Sequence, residues 1–268
     1  LKYIVCNSEQ AVYNRVYDEL ERFIEDGAVF SFSDKIINSQ FTKRIINEYV
    51  SGKYSYKHVI FLGQKEIAGI YKEEDKSIYR SMKKNVYDKL RVEYNNLYYP
   101  ENTTNECVSR YKEVLENYPI DVALVFMDSS GYILNYNKIS EDNRNVHTYK
   151  VSAREKNEIR KRHAIDVKSD SIISIGFDDI MSARNIFLIA LGRDKKEHVA
   201  GIFSDEENDS VIAYLKKHPN LVVFVDKEAG FKSEDEVAKI IKSKNSKKRK
   251  AELERQKRLK EVTKEEEK

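Results

Sequence analysis

The chain has 268 residues, 40% of them hydrophobic and 35% charged, with a net charge of +3. That length and apolar content supply a core for one large α/β domain or two small ones, which excludes a disordered or fibrous chain. Nine glycines and three prolines leave little material for glycine-built phosphate cradles, and the longest apolar runs, such as "IFLIAL" at 186–191, fall far short of the ~20 residues of a membrane-spanning helix.

Along the chain, short apolar runs alternate with amphipathic stretches, the pattern of βαβ units around a largely parallel sheet. "YIVC" at 3–6 reads as a strand, and Ser8 then occupies an N-cap position before a helix whose Val12, Val16, Leu20, Phe23 and Ile24 share one face. "AVFSF" (28–32) is the next strand. A helix at about 35–50, the strand "HVIFLG" (58–63), helices at about 75–90 and 104–117, and the strand "DVALVFM" (121–127) follow. Strands "SIISIG" (171–176), "NIFLIALG" (185–192) and "LVVFVD" (221–226) complete the set, with helices near 194–202 and 208–217 between the last two. The expected fold is α/β and doubly wound, with the domain at 1–241; the segment at about 139–165 is not assignable from its pattern.

From Lys242 to Lys268 the chain is a charged, basic extension, read as a helical tail. Twelve Lys or Arg stand against six Glu there, a net of +6, so the body carries −3 of the total +3. Leu253, Leu259 and Val262 cannot bury a face, and Glu254 with Arg258 adds one i,i+4 pair of about 0.2 to 0.5 kcal/mol, too little to hold such a helix alone. Polyanions are the partners this composition selects, because each neutralised phosphate releases counterions. The candidate RNA contacts are Lys242, Lys244, Lys247, Lys248, Arg249, Lys250, Arg255, Lys257, Arg258 and Lys260. A second basic stretch, "SAREKNEIRKRH" (152–163), and the aromatics of "YNNLYYP" (94–100) are further candidates for such contacts. Two cysteines, Cys6 and Cys107, without a CxxC motif point to a reducing compartment, expected to be the cytoplasm. Five histidines without ligand spacing give no expectation of a metal, and no cofactor is expected.

Four stretches together resemble the glucosamine-6-phosphate deaminase and 6-phosphogluconolactonase family: the opening strand and helix, "SYKHVI", "FLGQKEIAGI" with "SIYRSMKKNVYDKL", and "IGFDDIMSARNIFLIALGRDKKEHV" with "AYLKKHPNLVVFVDKEAG". The resemblance runs from about residue 3 to 230. It implies a sugar-phosphate site in which "DSSGYILNYNK" stands where the deaminase branch carries G-x-x-N-D-G-H-I-A-F-N-E-P. Gly131 and Ile133 match; Tyr132 replaces the ring-opening histidine, and its partner glutamate falls at Asn137. In the N-x-D-E-Y loop the aspartate base is replaced by Lys65, with Glu66 retained beside it.

A protonated lysine cannot accept a C–H proton, so the expectation is a pseudoenzyme, with Lys65, Glu66, Asp128, Tyr132 and Asn137 as its former site. An alternative keeps chemistry there, with Glu66 or Asp128 as base and Tyr132 as acid. The family's glycine-rich phosphate loop corresponds to "FSFSDKIINSQ", where Asp34 would repel an anion; Lys161 and Lys195 remain as residual phosphate ligands. The expected partner is the ribosome or another RNA-protein complex rather than a membrane, and the expected role is a dormancy factor that blocks tRNA or elongation-factor sites. The competing expectation is an active or ligand-sensing sugar-phosphate isomerase or lactonase.

Overall fold

The computed structural model describes residues 1–101, 106–204, 208–231, 233, 235–243, 246, 250 and 253–254. Its framework is a seven-stranded sheet built from β1 (Lys2–Cys6), β2 (Val29–Phe32), β3 (Ile60–Leu62), β5 (Leu97–Tyr98), β6 (Val122–Phe126), β9 (Asn185–Ala190) and β10 (Leu221–Asp226). The strand order is β1-β10-β9-β6-β2-β3-β5, and every pairing is parallel.

Because both faces of this sheet are covered, its strands read as continuous apolar runs. Within β6, Val122, Leu124 and Phe126 join the core on one face, while Ala123 and Val125 join the core on the other. The period-two geometry of an extended chain produces this division. Each fully buried side chain of this size contributes about 1.5 to 3 kcal/mol.

Helices α1 (Glu9–Leu20), α2 (Gln40–Val50), α3 (Ile78–Met82), α4 (Glu106–Asn117), α6 (Phe177–Met181), α7 (Lys196–Val199) and α8 (Val211–Leu215) accompany the sheet. Ser8 caps α1 as its position predicts, its hydroxyl accepting from the Ala11 N–H at 3.2 Å. Several helices are shorter than the periodicity suggests. α2 begins only at Gln40, after a 3-10 turn at Asp34–Ile36, because Ser39 caps it. The helix expected at 75–90 starts at Ile78 and passes into a π-turn at Lys83–Tyr87. Residues 193–203 form α7 between two 3-10 turns rather than one continuous helix.

The largest departure concerns residues 139–174. "SIIS" does not extend the parallel sheet: as β8 (Ser171–Ser174) it is the middle strand of a separate antiparallel sheet with β4 (Lys65–Ile67) and β7 (His147–Lys150). α5 (Ala153–His163) follows β7, with Ser152 as its N-cap. This layer brings residues far downstream against the C-terminal ends of β2, β3 and β6. In open parallel sheets ligand sites lie beyond those strand ends.

Candidate functional site

β2, β3 and β6 are neighbours, so the segments that leave their carboxyl ends share one cavity: Ser33, Asp34 and Lys35 after β2, Gln64 and Lys65 after β3, and Asp128 after β6. Gln64 ties the floor together, its amide donating to the carbonyls of Ser31 and Leu124, both at 3.0 Å. The wall opposite comes from Tyr149 on β7 and from Glu155 and Glu158 on α5. The cavity encloses only about 40 Å³.

Asp34 is its electrostatic centre. Its Oδ2 accepts from Arg162 Nη1 at 2.6 Å and from His163 Nε2 at 2.9 Å, and its Oδ1 lies 3.6 Å from Lys65 Nζ. Burial alone would push this carboxyl up, but Lys65, Arg162 and His163 outweigh it and hold the group well below the usual carboxylate range. His163 is fixed from its other side by Ser81 Oγ, 2.9 Å from Nδ1.

Lys65 lies between two acids, with Glu155 Oε1 at 3.4 Å on its other flank. That oxygen also accepts from the Tyr149 hydroxyl at 2.7 Å, while the buried Oε2 of Glu155 has no hydrogen-bond partner among the described residues. Asp128 is engaged as well. Its Oδ1 accepts the Ser130 and Tyr132 N–H groups at 2.8 and 2.9 Å, and Arg154 reaches its Oδ2 at 3.2 Å. Gly131, at φ +75°, lets this loop turn where any Cβ would strike the His198 ring. A tight hairpin with positive φ at both Leu134 and Asn135 then closes the rim.

Of the five residues that the sequence assigns to the former site, the structure brings Lys65, Asp128 and Tyr132 to this cavity. Glu66 is elsewhere. It is fully buried and accepts the N–H groups of Ile67, Ile78 and Tyr79, each at 2.8 Å, so it anchors the start of α3. Burial pushes its carboxyl up to about 7 against the pull of those three donors. Asn137 lines a different, larger cavity of about 350 Å³ with His198 and Ser204.

Neither residual phosphate candidate lines the Asp34 cavity. Lys161 is exposed on α5, and Lys195 pairs with its neighbour Asp194 at 2.8 Å. The residues that do converge are their chain neighbours and partners, Arg162, His163, Glu155 and Lys35. A signal for two of them was present, because Glu155 and His163 recur with Ile159 every four residues on the buried face of α5.

The basic stretch at 152–163 is largely spent within the molecule. Besides Arg154 and Arg162, Lys156 pairs with Asp170 at 3.1 Å and Arg160 donates to Asn157 at 2.8 Å. In the aromatic run, Tyr99 is buried and Tyr98 shares a hydroxyl hydrogen bond of 2.8 Å with Tyr118, so these rings are packed rather than offered for base stacking. Of the tail candidates, Lys242 and Lys250 are exposed; Lys244, Lys247, Lys248, Arg249, Arg255, Lys257, Arg258 and Lys260 lie outside the described residues. Among the described residues, no group of three or more acidic, histidine or cysteine side chains could hold a metal, and no helix is long and apolar enough to cross a membrane.

No family model matches the chain. Its sequence is 27% identical over 195 residues to a glucosamine-6-phosphate deaminase of Clostridium perfringens, covering 70% of this chain and 80% of the relative. It is 25% identical over 237 residues to the glucosamine-6-phosphate deaminase of Mycoplasma mycoides, covering 87% and 97%. Among solved structures, a monomeric glucosamine-6-phosphate deaminase described as a missing link of the NagB superfamily superposes with a TM-score of 0.74 at 15% identity, covering 85% of this chain and 98% of that one. The 6-phosphogluconolactonase of Trypanosoma brucei gives 0.65 at 15% identity, covering 85% and 97%. The fold is thus the parallel α/β fold of these structures. In sequence the chain is similar to glucosamine-6-phosphate deaminases, and in fold to both a glucosamine-6-phosphate deaminase and 6-phosphogluconolactonases.

Proposed function

We propose that this chain is a superfamily member whose sugar-phosphate site has become an internal ion-pair cluster, and that it acts by binding rather than by catalysis. The observation that carries this reading is the position of Lys65, between Asp34 at 3.6 Å and Glu155 at 3.4 Å. A lysine held by two carboxylates stays protonated and cannot abstract a proton from carbon. Asp34 adds a second obstacle. Its carboxylate already occupies the cations Lys65, Arg162 and His163 that an incoming phosphate would need. The cavity of about 40 Å³ also compares poorly with the ~300 Å³ lower bound of ordinary ligand pockets.

Binding is then the work of the charged C-terminal segment. From Lys242 onward it carries twelve basic against six acidic residues, beside a body of net −3, and such a segment associates with RNA through counterion release. The proposed partner is the RNA of a ribonucleoprotein, with the ribosome as the specific case. The proposed mode is occupancy of tRNA or elongation-factor sites by a body of this size, as a dormancy factor would do.

A second reading, a sugar-phosphate enzyme or sensor, is favoured by the relatives, since the alignments span 97% of the Mycoplasma mycoides deaminase and 98% of the monomeric deaminase structure. Two measurements on one preparation separate the readings. Calorimetric titration with glucosamine-6-phosphate and 6-phosphogluconate should give no heat of binding. Sucrose-gradient sedimentation from native lysate should place the full chain with ribosomes at low salt and release it at raised salt or on truncation after Ile241. Binding of either sugar phosphate together with sedimentation at the top of the gradient would establish the second reading.

A further inference from the structure

Two lysines line the cavity, and the ion-pair cluster uses one of them. Lys65 is shared by Asp34 and Glu155. Lys35 sits on the 3-10 turn after β2 and lines the same space, yet among the described residues its ammonium takes part in no ion pair and no side-chain hydrogen bond. The two carboxylates whose charge acts on it are already engaged, Asp34 by Arg162 at 2.6 Å and Asp128 by Arg154 at 3.2 Å. A shielded amine with cations as neighbours and no counter-ion of its own favours its neutral form, the nucleophilic one.

We propose that Lys35 is an amine nucleophile that forms imines with small aldehydes at this cavity. In the first step the neutral nitrogen attacks the carbonyl carbon, the N–C bond forms, and the C=O π pair moves to oxygen, which takes up a proton. The nitrogen gives up one proton to leave the neutral carbinolamine, whose hydroxyl takes up a proton and departs as water while the nitrogen lone pair forms the C=N bond of the protonated imine. One amine, one aldehyde and one proton become one protonated imine and one water, so neither oxidant nor reductant is needed. Tyr132 and Glu158 line the cavity and are placed to exchange the protons. The unpartnered Oε2 of Glu155 can accept from the carbinolamine hydroxyl.

Charge and size select the electrophile. A protonated imine carries the same single positive charge as the ammonium that it replaces, so the balance among Asp34, Lys65, Glu155 and Arg162 is kept. About 40 Å³ admits the carbonyl end of a two- or three-carbon aldehyde and excludes the ring of a sugar phosphate. Burial, with Lys65 on β4 and Arg162 on α5, pushes the Lys35 amine down to about 8, against the opposing pull of Asp34 and Asp128. Glu155 and Glu158 of α5 and Tyr149 of β7 also face the space, and all of these groups enter the pH profile. An ordinary lysine titrates near ~10.4. This chemistry differs in kind from proton abstraction at a sugar carbon and is independent of what the C-terminal segment binds.

The test is reductive trapping. The full chain is incubated with glycolaldehyde and sodium borohydride between about pH 6 and pH 10, and adducts are located by peptide mass mapping. Lys35 should be labelled roughly ten-fold or more ahead of the exposed lysines near pH 7.5, because each pKa unit is a factor of ten in neutral amine; its labelling should rise half-maximally near 8. K35R should lose the fast adduct and leave the other sites unchanged, with its circular dichroism matching the parent. The same reaction in denaturant should erase the preference. Labelling distributed by exposure alone, first labelling at Lys65, or a Lys35 preference that persists in denaturant would each overturn the proposal.

Discussion

Asp34 and Arg162 stand 128 positions apart in the chain, and their side chains meet at 2.6 Å with 6% and 17% of their surface exposed. The contact joins the end of a central parallel strand to the last turn of α5, which the small antiparallel layer carries into place. Arg162→Met should therefore cost about 3 to 5 kcal/mol, the usual penalty for leaving a buried charge without its partner. Urea denaturation at neutral pH measures it; a loss below about 1 kcal/mol would mean that Lys65 and His163 suffice for Asp34.

The same carboxylate sets an acid limit. Asp34 is held well below the usual range in the folded chain, while its unfolded value is about 3.9. A depressed carboxyl contributes stability that is present above the unfolded pKa and is lost as pH falls through the folded one. The stability difference between the parent and Asp34→Asn should accordingly be constant above about pH 5 and shrink only below about pH 4. Denaturation curves across that window check this.

Glu66 predicts the opposite slope. Its carboxyl is raised from 4.5 to about 7 on folding, so its ionisation opposes folding, and this contribution falls as pH rises from about 4.5 through 7. Glu66→Gln removes the titration and also loses acceptor capacity for the N–H groups of Ile67, Ile78 and Tyr79. The variant should be less stable than the parent at pH 5, and the gap should narrow toward pH 8. A gap that stays constant would indicate a carboxylate ionised throughout, held by its three donors.

Placing an aspartate at position 65, where the resemblance to the deaminases implies a base, should not produce turnover. Lys65→Asp would set a third carboxylate beside Asp34 and Glu155 and remove the cation between them, so destabilisation is expected with no gain of glucosamine-6-phosphate turnover. Ammonia release and thermal melting together decide this; turnover by the variant would show that one residue had silenced the site.

Gly176→Ala should be costlier than Gly27→Ala. A Cβ at position 176 would lie 2.1 Å from the backbone carbonyl oxygen of Arg144, whereas at position 27 it meets nothing and faces only the strain of φ +83°. Thermal unfolding should separate the two by at least about 1 kcal/mol.

Much of the framework was legible because strands covered on both faces are apolar throughout: "VALVF" and "NIFLIA" leave no polar face to confuse the reading. The small antiparallel layer was not, because β7 reads "HTYK" and alternates half-buried with exposed residues, close to a polar loop in composition. α5 is charged almost throughout, so its single interior apolar residue, Ile159, gave little weight to the helical face that carries Glu155 and His163. Lys161 attracted attention by charge alone, while the angular step of a helix turns it away and brings Arg162 and His163 inward. Lys65 was legible as a misfit in its motif, but what holds it there depends on contacts with partners 31 and 90 positions distant, which no local pattern encodes.

β1 lies at the sheet edge, and among the described residues its one partner strand is β10, with Lys2 opposite Val222. At synthesis rates of roughly 5 to 20 residues per second, the segment waits on the order of 10 to 40 s for that partner to be made. During this interval Tyr3, Ile4 and Val5 have no sheet to join. β1 is therefore secured only after β10 has been made, and a ribosome stalled before the codon for Val222 would hold a sheet in which β1 is still unpaired.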